Sequence, residues 1–312
     1  MPWVDRIGRK LKLRDLHTLL AVAQRGSMAK AASDLAVTQP AVTKAIAELE
    51  KTLGVRLFDR TSKGAAPTQY GSALLKWSTV LFDDLRQAVD EIEFLADPTG
   101  GHLRIGATEP IVAGLLPAVI DHLSRRHPRI TFHVWPASSV ADQYRALRDR
   151  NLDLIIGRIL RPLADDYLST DILFDEPMHV VAGVGNPWLH RRRIDLPDLV
   201  NEPWCLPRSD GVAGSLVAEA FRARGLNAPQ NGVVSNSVQM INAMLATGRY
   251  LSVMSGSTLN FSGKRFGIKA LPVKLSAVTP PVGIVTLRKR APSPVAQLFI
   301  ETVHAVAESI GK

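Results

Sequence analysis

Residues Gly26 to Arg60, GSMAKAASDLAVTQPAVTKAIAELEKTLGVRLFDR, constrain the fold of this chain more than any other stretch. They read as two short helices joined by a tight turn. The first runs from Met28 to about Leu35 with Ser27 as its cap. The second runs from Gln39 to about Leu53, with Thr38 as cap and Pro40 in the first turn, where a missing N–H costs nothing. Only Ala36 and Val37 are left for the turn. Ala31, Ala32, Leu35, Val42, Ile46, Leu49 and Leu53 keep helical spacing and predict one shared core.

That pattern leaves Thr38, Gln39, Thr43 and Lys44 on the outward face near the start of the second helix. Hydroxyl, amide and ammonium groups on a rigid rod match the donor and acceptor pattern that base edges display in the DNA major groove. The alternative for an isolated helix pair is a solvated face. After Gly54, Val55, Leu57 and Phe58 suit a short strand and Ser62-Lys63-Gly64 its turn, giving a wing flanked by Arg60 and Lys63. Phosphate or minor-groove contact is one reading of those two cations. A surface hairpin with incidental charge is the other.

The run resembles the N-terminal winged helix–turn–helix of LysR-type transcriptional regulators. The matching residues are Gly26–Ser27, Ala31–Ala32, Leu35, Thr38 to Thr43, Ile46, Leu49–Glu50, Leu53–Gly54, Leu57–Phe58 and Arg60. Two positions that are usually serine are threonine here, which keeps the hydroxyls. The resemblance implies DNA binding through Ser27, Thr38, Gln39, Pro40, Thr43, Lys44, Arg60 and Lys63, and double-stranded promoter DNA as partner.

Upstream, Leu13 to Gln24 is an amphipathic helix with Leu16, Leu19, Leu20 and Ala23 as its buried stripe. Residues 1–70 hold twelve Lys/Arg against six Asp/Glu. This surplus fits a phosphate-backbone partner, although basicity alone would also fit an anionic membrane or plain solubility. Arg6, Arg9, Lys10, Lys12 and Arg14 could form an arm along phosphates or a merely solubilising tail.

Thr68 to Ala96 lacks proline and predicts a helix of roughly 28 residues, about 40 Å long. Leu74, Leu81, Leu85, Ala88, Ile92 and Leu95 follow steps of four and three, with Ser78 as the polar exception, which is coiled-coil spacing. The family's dimeric linker helix lies here. Two reading heads held by one coil would demand a two-fold, interrupted palindromic site.

Asp97-Pro98-Thr99-Gly100-Gly101 ends the helix, and strand–helix alternation then predicts an α/β architecture. Strands are expected at 102–107, 130–135, 152–157, 178–183, 204–206, 233–234, 250–254 and 282–287. Helices are expected at 114–126, 140–150, 196–199, 215–224, 237–247 and 294–309. By resemblance this half is the family's effector-binding region, with the two-lobed fold of periplasmic solute-binding proteins. The expected division is 1–67 for the winged helix–turn–helix, 68–97 for the linker helix and 98–312 for the effector domain. Its lobe I takes 98–175 and 277–312, and lobe II takes 176–276.

In open α/β sheets ligands bind beyond the carboxyl ends of strands. Those ends carry Thr108 and Glu109, Ser138 and Ser139, Arg208, Ser209 and Asp210, and Ser255 with Ser257. Hydroxyls beside helix N-termini make an anion site, and Arg208 could clamp a carboxylate. Serine and threonine are also ordinary helix caps. Glu109 would disfavour an acid and prefer a hydroxyl-bearing or cationic effector.

Enzyme readings fare poorly. Ser27-Met28-Ala29-Lys30 matches a serine–lysine motif, but its Ser-Asp-Asn and Lys-Thr-Gly partners are missing from the sequence. No Gly-x-Ser-x-Gly elbow, phosphate loop or Gly-x-Gly-x-x-Gly occurs. His122 and His127, the nearest histidine pair, have poor metal spacing, so neither metal nor cofactor is expected. The single Cys205 reads as an inert buried thiol in a reducing compartment, and no apolar run reaches the ~20 residues of a membrane span. The resemblance thus implies a regulator that responds to a small organic effector, contacts RNA polymerase and assembles as a dimer of dimers, with the cytoplasm as the expected compartment. The competing readings are a solute-binding module and a non-specific architectural DNA protein.

Overall fold

Leu16, Leu19 and Val22 recur at three-residue steps and are buried together, so the first described helix, α1 (Leu13–Arg25), is set by its apolar stripe. The computed structural model describes residues 10–61, 64–136, 139–159, 166–275 and 280–310. They fall into two compact units that divide after Val89.

In the first unit α1 closes on Gly26, whose left-handed backbone (φ 62°) returns its N–H to the Val22 carbonyl. α2 (Met28–Asp34) and α3 (Gln39–Leu53) follow, and Ala31, Ala32, Val42, Ile46 and Leu49 join the α1 stripe in one core. The strands β1 (Phe58–Thr61) and β2 (Gly64–Pro67) pair antiparallel, with Phe58 opposite Pro67 and Arg60 opposite Ala65. Thr68 then starts α4 (Gln69–Ala96): its hydroxyl accepts the Gly71 N–H at 3.1 Å.

The structure divides the seam expected along α4. Leu74, with Leu75 and Phe82, packs on the first unit's own core. Ser78 is buried and donates to the Leu74 carbonyl at 2.8 Å, so this polar residue faces the helix's own domain. Further along, Leu81, Leu85, Val89, Ile92 and Leu95 are 39–75% exposed, an apolar stripe left uncovered among the described residues.

The second unit alternates strands and helices. Its elements are β3 (Gly100–Ala107), α5 (Glu109–Ala113), α6 (Leu115–Arg126), β4 (Arg129–Pro136), α7 (Val140–Arg148), β5 (Leu154–Arg158) and β6 (Leu168–Asp175). Then come β7 (Met178–Gly183), β8 (Trp204–Leu206), α8 (Val212–Arg222), β9 (Gly232–Val234), α9 (Val238–Ala246) and β10 (Leu251–Ser255). α10 (Gly256–Phe266), β11 (Ile268–Lys274), β12 (Pro281–Leu287) and α11 (Pro294–Ile310) complete it.

Two five-stranded mixed sheets result. One has the order β4-β3-β5-β12-β6, and the other β11-β7-β10-β8-β9. In the first, β4 and β5 run parallel to β3, whereas β12 is antiparallel to both β5 and β6. In the second, β10, β8 and β9 are parallel, and β7 is antiparallel to β10 and β11. Each sheet carries an apolar cluster on both faces. The chain passes from the first sheet to the second at Glu176–Pro177 and returns with β12. Among the described residues no helix is long and apolar enough to cross a membrane.

Four elements, α5, β6, β11 and α10, lack a sequence signal of their own. β6 and β11 lie at sheet edges, and β6 is mostly exposed, so neither shows an apolar run. α10 opens with Gly256, Ser257 and Thr258 and reads as a loop. The helix expected from Gly114 runs from Leu115 to Arg126, and the short α5 precedes it; at Gly114 between them a Cβ would lie 3.0 Å from the Pro110 carbonyl oxygen and 3.1 Å from the Thr258 backbone, so glycine alone fits without displacing that backbone.

Candidate nucleic-acid interface and effector site

The helix pair α2–α3 is held by local chemistry. Ser27 caps α2 by accepting the Lys30 N–H at 3.5 Å, and Thr38 caps α3 by accepting the Ala41 N–H at 3.4 Å. Between them the chain reverses at Ala36, a non-glycine residue with φ 52°. It is fastened there by Leu35, Ala36 and Val37 N–H groups donating to the Ala31, Ser33 and Ala32 carbonyls. With Val42, Ile46 and Leu49 fixed inward, Thr38, Gln39, Pro40 and Lys44 are exposed and Thr43 is half-buried. Ser27 is half-buried and committed to its cap. An Arg25–Asp34 ion pair ties the end of α1 to the end of α2.

The wing is fastened to this pair. The Ala65 N–H donates to the Gly26 carbonyl at 2.8 Å, and a Cβ on Gly64 would overlap that same oxygen. The β1 backbone places Arg60 opposite Ala65. Lys63 lies outside the described residues, as do Arg6 and Arg9 of the basic arm, whereas Lys10, Lys12 and Arg14 are exposed.

In the second unit the strand-end residues are not gathered in one place. Thr108 precedes α5 without using its hydroxyl as a cap, and its side chain lies against Gly157 at the end of β5. Glu109 lines a groove of about 820 Å³ between α5–α6 and α9–α10, together with Pro117, Val238, Asn242, Phe261 and Arg265. Ser139 caps α7, accepting the Asp142 N–H and donating to the Asp142 carboxylate at 2.6 Å. Ser138 lies outside the described residues. Arg208 is bound at both Nε and a terminal nitrogen by Asp210, at 3.0 and 2.6 Å, and Ser209 between them is exposed. That bond holds Asp210 below its ordinary pKa and Arg208 above its own. Ser255 is buried and shares a 2.8 Å hydrogen bond with Thr258, whose hydroxyl also reaches the Pro110 carbonyl at 3.0 Å.

A network with little trace in the sequence joins the two sheets. Arg158 ends β5, and its guanidinium donates to the Glu176 carbonyl at 3.1 Å and lies 3.4 Å from the Glu176 carboxylate. It also points at the Met178 sulfur at 2.9 Å. Glu176 in turn accepts the N–H and hydroxyl of Ser257 in the first turn of α10. The side chains of Arg158 and Glu176 are 8% and 1% exposed. Burial pulls the guanidinium pKa down, and the carboxylate opposes that shift. The one sequence signal for it is an arginine closing the most apolar strand, LDLIIGR.

Both halves of the chain match known families. Residues 13–72 match the model of the bacterial regulatory helix-turn-helix proteins of the lysR family, and residues 96–308 match the LysR substrate binding domain. The chain belongs to the LysR family of transcriptional regulators. It is a DNA-binding regulator with an effector-binding domain. The HTH-type transcriptional regulator PcaQ of Agrobacterium fabrum is 28% identical over 302 residues, covering 96% of each chain. The structure of a full-length OxyR variant from Pseudomonas aeruginosa is similar, with a TM-score of 0.66 at 25% identity, covering 96% of this chain and 97% of that one. Full-length CbnR, solved with its target DNA, shares the fold with a TM-score of 0.54 at 21% identity, covering 95% of this chain and 100% of that one. Against this LysR background Cys205 is the chain's single cysteine. It is buried in β8, and burial raises its thiol pKa.

Proposed function

We propose that this LysR-family chain reads an inverted-repeat promoter site as a dimer and adjusts its grip when a small organic effector binds between the lobes of its second unit. The carrying observation is the outward face of α3, where Thr38, Gln39, Pro40 and Lys44 are exposed at a capped helix start, with Thr43 half-buried beside them. In this reading they enter the major groove, Gln39 offers a bidentate amide to a base edge, and Arg60 and Lys63 hold backbone or minor groove. CbnR, a fold relative solved in complex with its target DNA, supports DNA as the partner. The division at 1–67, 68–97 and 98–312, with lobe I as 98–175 and 277–312 and lobe II as 176–276, belongs to the same proposal.

The uncovered stripe from Leu81 to Leu95 supports dimerisation through α4, and a dimer of dimers is the expected assembly. Thr108, Glu109, Ser138, Ser139, Arg208, Ser209, Asp210 and Ser255 remain the proposed effector contacts. Thr108 is the strongest of them, because Arg208 and Ser139 already satisfy neighbouring carboxylates. The effector acts by linkage: a ligand with different affinity for two lobe arrangements shifts how the paired heads sit on DNA, and so changes recruitment of RNA polymerase. The chain works in the cytoplasm and catalyses no reaction.

A gel shift with a duplex selected from random sequence on the full-length chain tests the reading. Specific binding should exceed binding to unrelated DNA by about a thousandfold or more at physiological salt. Equal binding to both duplexes would reduce the chain to a non-specific DNA protein.

A further inference from the structure

Glu50 belongs to the matched motif, yet DNA reading as described above gives it no task. On α3 it lies eleven residues after Gln39 and seven after Thr43, so at about 100° per residue all three fall within about 40° of one another. A carboxylate on the stripe that faces DNA should repel phosphate. The structure gives this one another use. Its Oε1 accepts the Leu57 N–H at 2.7 Å and lies 3.4 Å from the Phe58 nitrogen, at the root of the wing.

The rest of that root is equally fixed. The helix ends at Gly54 (φ 75°), and Leu57 and Phe58 are buried in the core of the first unit. The Leu57 carbonyl accepts the Thr68 N–H at 2.9 Å, and Thr68 donates its hydroxyl to the Arg56 carbonyl at 2.7 Å. A Cβ on Gly71 would overlap the Leu57 carbonyl oxygen, so α4 closes on the far side. Glu50 thus reaches from the reading helix itself to the N–H side of Leu57, opposite the contact from Thr68.

We infer that Glu50 is a positioning residue for DNA reading: it sets the wing's angle to the reading helix, so that helix and wing meet the groove and the adjacent phosphates together. The inference rests on the proposed entry of α3 and the wing into DNA. It predicts the opposite sign from simple electrostatics. Removing a negative charge near phosphates should tighten binding, whereas losing the clamp should weaken specific binding.

The test compares wild type, Glu50→Ala and Glu50→Gln as full-length chains on the duplex selected from random sequence with wild type. Binding titrations and hydroxyl-radical footprints are read together, with melting temperature followed in parallel. Glu50→Ala should lose specific affinity about tenfold or more. Its footprint should lose protection where the wing lies while keeping it where α3 lies. Glu50→Gln, which keeps the carbonyl acceptor, should restore both. Unchanged or tighter specific binding by Glu50→Ala would overturn the inference, as would uniform loss of the whole footprint or failure of Glu50→Gln to restore it. If the wild-type footprint shows no α3 protection at all, the fault lies with the DNA-reading proposal and not with the clamp.

Discussion

Arg158 and Glu176 are the residues whose removal should be felt most. Both charges are out of water, each is the other's compensation, and Glu176 also caps α10 through Ser257. Breaking a buried pair by removing one partner costs about 3–5 kcal/mol, because it strands the other charge. Arg158→Met should therefore lower urea stability by that amount. Arg158→Met with Glu176→Gln should cost less than the sum of the single changes, and strict additivity would show the two do not interact. Asp153 gives a pH prediction. Burial pushes its carboxyl up, but hydrogen bonds and charge from Arg104, with a further bond from Arg290, outweigh burial and hold it well below the usual carboxylate range. A depressed folded pKa adds stability that is present above the unfolded value of about 3.9 and is lost as pH falls toward the folded one. The stability gap between wild type and Asp153→Asn should be full at pH 7 and shrink below about pH 4. A gap unchanged at pH 3 would contradict it. Cys205, buried in β8 with a raised pKa, should react with a thiol reagent only after unfolding.

At the scale of elements, α4 carries the plainest prediction. Leu85 and Ile92 are 41% and 67% exposed, so glutamate at both should leave the fold and melting transition of each unit nearly unchanged. The same changes should shift the chain toward monomer by sedimentation, and a dimer that survives them would move the dimer contact elsewhere. How far each element is legible in the sequence follows from its signal. α1 announces itself by its apolar stripe and terminating Gly26, and α2 and α3 by apolar positions, a hydroxyl cap and a tight turn or terminating glycine that agree at every level. β5 is plain because it is buried on both faces. β6 and β11 are hidden because an edge strand half in solvent needs no apolar run, and β11 is further interrupted by a register shift between Ala270 and Lys274. α10 is hidden because its hydroxyls serve tertiary contacts with Glu176 and Pro110, and such contacts leave no local pattern. The exposed face of α3 follows from helical spacing alone. The proposed effector contacts do not, since Ser139 caps its own helix and Arg208 binds Asp210. A strand-end position predicts where a residue lies but not which neighbour has already claimed it.

For the whole molecule, the claim is that one rigid polar helix edge inspects base pairs and the rest of the chain pairs and steers it. Gln39→Ala measures this most directly, because it alters an exposed amide on α3 and touches no core contact. Affinities of the full-length chain for the selected duplex and for unrelated DNA should be read at one fixed salt concentration. The expected loss is about 10- to 100-fold on the selected duplex, in line with roughly 1–3 kcal/mol for a bidentate base contact, with little change on unrelated DNA. An equal loss on both duplexes, or none on either, would contradict it.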